Sequence, residues 1–531
     1  MTRLTIRSKS KRVFPCAGRS AHPSLGPMTL DATQEILRPL GPTALAPFAE
    51  TADDALRQIF GYDAFRPGQR EVVEHLLEGR DALVVMPTGS GKSLCYQLAG
   101  AVTQGVTLVV SPLIALMKDQ VDALASTGLP ACAINSSISR AQQQERIAEM
   151  YAGDYKLVYV APERFRSPSF CEALEEIEIG LLAIDEAHCI SQWGHDFRPD
   201  YRRLAEVRRR FGSPQTVALT ATATEFVQRD ILEQLDIDGA DMLVSGFERP
   251  NLRFEVFKGK KKRDKMRHLR TLIGEHTGES VIVYVASRKQ VNAVGKMLED
   301  EGVSVGRYHG GMSAKKRTEA QERWMDGGVE VMVATNAFGM GVDKPDVRAV
   351  IHYNAPGSIE AYYQEAGRAG RDGKPARCVL MYRRSDMRIH EWFADNAYPL
   401  RMQLIRVWLH LRSLGPGEHK TTPAKLAKGA RGRGQKLPPM VVGACLDLLS
   451  RAGHIRRKRG SVEVIKDAEP LELDVDFDRL EDRRHLAKEQ IRNVSDYAGA
   501  RDCYQASLLA HFGSAPSFGE ECGHCGLCDP R

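Results

Sequence analysis

The sequence predicts an α/β protein built as two parallel-sheet halves in series, followed by two small modules. Three observations carry this. A glycine-rich stretch, Met86-Pro-Thr-Gly-Ser-Gly-Lys-Ser93, sits between the apolar run Ala82-Leu-Val-Val85 and the helix-like Leu94-Cys-Tyr-Gln-Leu98. On both sides of it, and again after residue 280, short apolar runs alternate with helical segments, the pattern of a parallel sheet covered by helices. Four cysteines, Cys503, Cys522, Cys525 and Cys528, gather at the end of the chain.

At 531 residues the chain has room for three or four domains. No apolar run approaches the roughly 20 residues of a membrane span, so no membrane partner is expected. The net charge of +6 hides an asymmetry. Residues 401 to 460 carry fourteen Lys or Arg against two acids, whereas residues 461 to 490 carry ten acids against five bases. A basic block so concentrated implies a polyanionic partner.

Residues 1 to 50 show little periodicity and no acid before Asp31. They are expected to form a disordered tail, or to precede a true start at Met28, rather than to be a transit peptide. The first half is expected over 51 to 240. Tyr62 and Gln69, with Arg66 between them, lie just upstream of the glycine-rich turn and are candidate adenine readers. In the turn itself, backbone N–H groups of Thr88, Gly89, Ser90, Gly91, Lys92 and Ser93 and the positive end of the helix point at a polyphosphate. Lys92 reaches the outer phosphates and the Ser93 hydroxyl holds Mg²⁺. Met86 stands where the general pattern has glycine, and Pro87-Thr-Gly-Ser-Gly-Lys-Ser is the helicase form of the loop. Further strands are read at Val106–Val110, Leu157–Val160, Leu181–Ile184 and Val217–Leu219. The third of these delivers Asp185-Glu-Ala-His188 at its carboxyl end, where open α/β sheets bind ligands. Asp185 suits Mg²⁺ and Glu186 suits polarising the attacking water.

The second half, expected over 241 to 395, has strands at Val281–Val285, Gly302–Val305, Val331–Thr335 and Val350–Tyr353. It lacks a phosphate loop but carries Gln364-Glu-Ala-Gly-Arg-Ala-Gly-Arg-Asp372. If that stretch is helical, Arg368 and Arg371 share one face and can reach phosphates held by the first half, an arginine-finger arrangement.

With these residues in hand, the chain resembles the RecQ family of superfamily 2 DNA helicases from about Leu56 to Tyr382. The likeness rests on FGYDAFRPGQ at 60 to 69, MPTGSGKS, SPLIALMKDQ, DEAHCISQWGHDFRPDY at 185 to 201, ALTATAT, FERPNLRF, YHGGMS, ATNAFGMGVDKPDVR at 334 to 348 and QEAGRAGRDG. The resemblance implies two RecA-like domains, adenine binding by Tyr62, Arg66 and Gln69, a nucleotide-site role for Asp343 within its motif, and Arg368 and Arg371 at the γ-phosphate. It also implies that the aromatic-rich loop with Trp193, Phe197 and Arg198 couples DNA binding to ATP hydrolysis, and aromatic faces with an arginine do stack on unpaired bases.

The tail departs from the family's usual order. Three short helices and a basic hairpin over 400 to 466 suggest a winged helix whose Arg456, Arg457 and Arg459 contact DNA, and it precedes the cysteines. Residues 478 to 531 are expected to form a helical module in which Cys503, Cys522, Cys525 and Cys528 surround one Zn²⁺. His524 could replace one thiolate, and four thiolates is the simpler set. The expected activity is ATP-driven 3′ to 5′ unwinding of duplex DNA with translocation on single strands, in DNA repair, recombination or replication, using ATP, Mg²⁺ and Zn²⁺. A single-strand-binding protein or a topoisomerase is the candidate protein partner, and the bacterial cytosol or nucleoid the expected location. An RNA helicase of the same superfamily, or a nucleotide-gated DNA-binding protein that does not unwind, are the alternatives.

Overall fold

The computed structural model describes residues 48–339, 342–430 and 436–530. The tail expected over 1 to 50 lies, up to residue 47, outside the described residues. Two parallel sheets dominate. The first has seven strands: β1 Ala82–Val85, β2 Val106–Val110, β3 Ala131–Ile134, β4 Leu157–Val160, β5 Ile179–Ile184, β6 Thr216–Thr220 and β7 Asp241–Val244, in the order β3-β4-β2-β5-β6-β1-β7. The second has six: β8 Leu252–Lys258, β9 Ser280–Tyr284, β10 Val305–Tyr308, β11 Val331–Ala334, β12 Val347–His352 and β13 Ala376–Tyr382, in the order β10-β11-β9-β12-β13-β8. Leu83, Val85, Leu108, Val110, Leu182, Ile184 and Leu219 have no exposed surface. That is why these strands read as unbroken apolar runs: helices cover both faces, so neither side needs polar residues.

Two expectations are corrected. The first half does not stop at residue 240, because β7 pairs in parallel with β1 through Ala82↔Asp241 to Val85↔Val244. As an edge strand it keeps one side open, and its exposed Met242 and Val244 gave no buried-strand signal. The strand read at Gly302–Val305 begins only at Val305. Gly302, at φ +86°, belongs to the turn that ends the preceding helix.

Nine helices matter to the site. They are α1 Gln69–Leu77, α2 Lys92–Val102, α3 Ile359–Ala366, α4 Arg384–Ala397, α5 Arg401–Ser413, α6 Pro423–Gly429, α7 Pro439–Arg451, α8 Phe477–Gly499 and α9 Tyr504–His511. Helices α5, α6 and α7 pack on a three-stranded antiparallel sheet of β14 Gly417–Lys420, β16 Ser461–Val464 and β15 Ile455–Lys458, in that order across the sheet. These are the three helices and the hairpin expected from the sequence, plus β14, whose Gly-Glu-His-Lys carries no strand signal. This module has a core of its own, with Leu404, Trp408, Leu411, Val442, Leu446, Leu449, Ile455 and Val462 buried together. Its wrapping extends past the expected end at 466, since Trp408 Nε1 donates to the Ala468 carbonyl at 2.9 Å and Leu473 is buried in the same core.

Helices α8 and α9 behave differently. Their buried Val494, Tyr497, Tyr504, Leu508 and Phe512 belong to one continuous core with Phe254, Tyr362 and Tyr363 of the second half. Phe512 stacks on Phe247 at 4.5 Å and Tyr497 packs against Tyr362 at 5.4 Å. The tail therefore docks on the second sheet, and residues 401 to 475 form a self-contained insertion between the two.

Because the insertion has a separate core, Trp408→Ala should cost it about 3–5 kcal/mol, the usual price of emptying a large buried aromatic site. Denaturant titration should then show this module unfolding in a separate, earlier transition while nucleotide binding by the motor halves survives. A single cooperative shift of the whole chain would contradict the assignment.

Candidate active site

The glycine-rich turn leaves β1 and enters α2, with Gly89 and Gly91 both in the left-handed region at φ +86° and +85°. A side chain at Gly91 would also collide with the Gln69 amide at 2.4 Å. That approach is used: Gln69 Nε2 donates to the carbonyls of Ser90 and Gly91 at 2.9 and 3.2 Å, and Arg66 donates to the Gly89 carbonyl at 2.8 Å. Arg66 and Gln69, two of the expected adenine readers, thus brace the loop. Tyr62 keeps half its surface exposed beside them. Lys92 bends back onto the Met86 and Pro87 carbonyls at 3.0 and 3.3 Å. Burial lowers its pKa, and the carboxylates of Glu186 and Asp185 oppose that shift.

Asp185 and Glu186 stand at the carboxyl end of β5, separated from β1 by β6 alone. Burial, reinforced by the neighbouring Glu186 charge, raises Asp185 to about 7. Glu186 is held at φ +52°, a conformation that costs a non-glycine residue roughly 1–2 kcal/mol. Its buried Oε2 has no hydrogen-bond partner, although His188 Nδ1 lies 3.3 Å away. His188 Nδ1 also meets Thr220 Oγ1 at 3.0 Å, and its ring stacks on His195 at 4.4 Å. Burial, with His195 and Arg198 nearby, keeps His188 well below its ordinary pKa and hence neutral.

The second half closes the site. A cavity of about 710 Å³ is lined by Tyr62, Arg66, Gln69, Lys92, Ser93, Asp185 and Glu186 from one half and by Asp343, Gln364, Arg368 and Arg371 from the other. The two arginines are not on a helix as expected. Helix α3 stops at Ala366, and Gly367 begins a turn in which Gly370 takes φ +54°. Both still reach the cavity: Arg368 donates to the Gly339 carbonyl, and Arg371 donates to the Val342 carbonyl at 3.0 Å and to Asp343 at 2.6 Å. Burial lowers the Arg371 pKa.

Sequence reading missed Arg249. Its guanidinium donates to the Thr88 carbonyl of the phosphate loop at 2.7 Å and to the carbonyls of Gly367, Ala369 and Gly370 at 3.3, 2.9 and 3.1 Å. One planar side chain ties the loop of the first half to the arginine turn of the second. The only signal was its place in the linking segment FERPNLRF.

The expected DNA-contacting residues fall in two places. Trp193 is half-buried, edge-on to the exposed Phe226 at 5.9 Å. Phe197 lies under the Arg483 guanidinium at 5.1 Å, and Arg198 turns inward to the Pro112 carbonyl at 2.8 Å and Asp196 at 3.1 Å. On the hairpin, Arg456 pairs with Glu463 at 3.3 Å, Arg457 with Asp447, and Lys458 with Glu418 at 2.9 Å. Among the described residues Arg459 alone of these four has no such partner.

The four cysteine sulfurs lie within 4.8 Å of one another, with Cys525 3.5 Å from Cys528 and 3.9 Å from Cys503. Four thiolates about 2.3 Å from one Zn²⁺ stand about 3.8 Å apart, so the donor set fits. Burial pushes the Cys525 thiol up, but N–H groups of Cys528, Leu527 and Tyr504 outweigh it and bring it down to about 7. His524 faces the Cys522 carbonyl at 2.8 Å and stays out of the cluster.

Residues 66–230 match the family described as DEAD/DEAH box helicase, residues 264–373 the helicase conserved C-terminal domain, and residues 465–529 the RecQ zinc-binding family. The chain is 40% identical over 403 residues to the ATP-dependent DNA helicase RecQ of Pasteurella multocida, covering 76% of this chain and 63% of that protein. It is 40% identical over 338 residues to the probable ATP-dependent DNA helicase RecS of Bacillus subtilis, covering 63% of this chain and 68% of that protein. The matches to three RecQ-named relatives span 54% to 63% of their lengths. In fold it is similar to the DUF1998 helicase MrfA bound to DNA, with a TM-score of 0.53 at 19% identity over 81% of this chain and 65% of that one.

Two outcomes follow from this geometry. Arg249→Ala should lower ATP turnover by about ten- to a hundredfold through misalignment of the two loops, with nucleotide affinity little changed, and lysine should not rescue it because only the planar fork spans four carbonyls. Cys525→Ser should remove the zinc found by elemental analysis, from about one ion per chain towards none, and expose residues from about 480 onward to protease, because so short a loop cannot fold without the ion.

Proposed function

Because the chain belongs to the RecQ family of helicases, we propose that it is an ATP-driven motor that moves along single-stranded DNA and unwinds duplex with 3′ to 5′ polarity. The observation that carries the reading is the single cavity to which Lys92, Asp185 and Glu186 come from one half and Arg368 and Arg371 from the other. A site split between two rigid bodies converts nucleotide turnover into relative movement, which translocation requires.

ATP is the substrate. Backbone N–H groups of residues 88–93 cradle its phosphates, and Lys92 exchanges the Met86 and Pro87 carbonyls for phosphate oxygens. Tyr62, Arg66 and Gln69 flank the adenine. Asp185 and Ser93 are the oxygen donors that would hold Mg²⁺, and the unpartnered Glu186 Oε2 beside them marks a site short of positive charge. When bound, that ion offsets negative charge on the phosphates. Glu186 orients a water whose oxygen forms the new bond to the γ-phosphorus as the bond to ADP breaks. Arg368 and Arg371 stabilise the charge that develops there.

Single-stranded DNA is taken to run along the loop at 191–198, where Trp193 offers a face worth about 1–3 kcal/mol per stacked base. The inserted module reads as a winged helix. Its third helix, α7, packs against α4, and its hairpin is largely charge-paired, so among the described residues Arg459, Lys425 and Lys428 are cations of the module without an ion pair. The four-cysteine zinc site is structural. A single-strand-binding protein or a topoisomerase suits the product strand and the torsion that unwinding creates. Among the described residues no helix is long and apolar enough to cross a membrane, and with chromosomal DNA as substrate we place the protein in the bacterial cytosol.

Glu186→Gln is expected to bind ATP normally but to hydrolyse it at least about a hundredfold more slowly, the scale of a lost electrostatic role at the reacting centre. In parallel, wild-type protein should displace a strand from a 3′-tailed DNA duplex, with ATP hydrolysis stimulated more by single-stranded DNA than by RNA. Preference for RNA, or stimulated turnover without strand displacement, would overturn the reading.

A further inference from the structure

Helix α8 reaches from one motor half to the other. Its carboxyl-terminal part, with Ile491, Val494, Tyr497 and Ala498, is buried against the second half and leads directly to the zinc ligand Cys503. At 23 residues it spans about 35 Å, so its other end lies far from that anchor. There Arg479 Nε donates to Gln192 Oε1 at 2.7 Å, next to Trp193. One turn on, the Arg483 guanidinium lies 5.1 Å from the Phe197 ring and 5.2 Å from the Tyr398 ring, just after α4. Neither arginine has a carboxylate partner among the described residues: Arg479 is held by Gln192, and Arg483 by the Phe197 and Tyr398 rings. Arg484 and Lys488 pin the same helix to Asp395 of α4, each at 2.9 Å.

The loop held in this way leads to the reacting centre. His195, between Trp193 and Phe197, stacks on His188 at 4.4 Å, and His188 lies 3.3 Å from Glu186. His195 Nε2 also faces Gln364 Oε1 at 3.4 Å across the cleft, and Gln364 lines the nucleotide cavity. One turn earlier on α3, Glu360 accepts from His511 of α9 at 2.8 Å. The tail thus grips the loop from two directions.

We propose that Arg483, assisted by Arg479, is a positioning residue: α8 clamps the loop at 191–198 so that DNA engaged there is registered at Glu186. This assigns the tail a part in coupling beyond holding zinc. It rests on the helicase reading above, in which that loop meets DNA. Arg483 acts through Phe197 and is not among the residues that line the nucleotide cavity. Removing it should slacken the loop without altering the phosphate site.

The test is ATP turnover by the full-length protein against single-stranded DNA concentration, for wild type, Arg483→Ala, Arg483→Lys, Phe197→Ala and the Phe197→Ala/Arg483→Ala double variant. Zinc content and thermal midpoint serve as folding controls. Arg483→Ala should lower the saturating DNA-stimulated rate by about tenfold, in line with a small misplacement near a reacting centre. Its DNA-free rate and half-saturating DNA concentration should stay within about twofold, since no group that binds nucleotide is touched. Arg483→Lys, which keeps a cation over the ring, should recover part of the loss, and the double variant should lose no more than the worse single one. Four results overturn the proposal: an unchanged saturating rate; a higher half-saturating concentration at normal saturating rate, which would make Arg483 a phosphate contact; a raised DNA-free rate, which would make it an inhibitory latch; or additive losses. If wild type itself shows no DNA stimulation, the helicase reading fails instead.

Discussion

The architecture depends on bringing opposite charges face to face across a cleft that shields them from water. Asp185 is buried and Lys92 and Arg371 are half-buried, and burial moves the pKa of each towards its neutral form. A buried charge is costly unless paired. Here the compensation is incomplete: Lys92 turns to two carbonyls, Arg371 to Asp343, and Glu186 keeps a buried oxygen with no hydrogen bond. The proposed ligand, a polyphosphate with a divalent cation, would supply the missing charges of both signs. The two sheets must therefore stay in register across the cleft, and Arg249, bonded to carbonyls on both sides, helps keep them so.

The same demand explains where the tail sits. The four-cysteine segment anchors α8 and α9 on the second half through Phe512 on Phe247, Arg253 on the His524 carbonyl at 2.9 Å, and the Gly526 N–H on the Phe254 carbonyl at 2.9 Å. From that base α8 crosses to the loop of the first half. The insertion of residues 401 to 475 leaves this arrangement undisturbed because it carries its own core.

Much of this was legible in the sequence, for definite reasons. Strands buried on both faces leave unbroken apolar runs, and the phosphate loop is dictated by glycines that have little freedom to vary. The motif residues Lys92, Asp185, Glu186, Arg368 and Arg371 all line one cavity. What was not legible depended on contacts distant in sequence. Strand β7 is an edge with exposed side chains, and β14 is four polar residues completed only by β16. The turn carrying Arg368 and Arg371 was mistaken for helix because a three-residue spacing suits either. Arg249, Arg479 and Arg483 sit among many arginines, and only tertiary structure shows which carbonyls or rings they meet. The hairpin shows a different limit: a basic run suggests a polyanionic partner, but only the structure shows that Arg456, Arg457 and Lys458 face Glu463, Asp447 and Glu418.

Hydrolysis by the proposed motor should require a group from the second half at the nucleotide held by the first. The direct measurement is nucleotide affinity and DNA-stimulated ATP turnover of Arg371→Ala, determined on the same preparation. Affinity within a few-fold of wild type with turnover reduced about a thousandfold or more is predicted, the scale of a lost arginine finger. Near wild-type turnover would contradict the account.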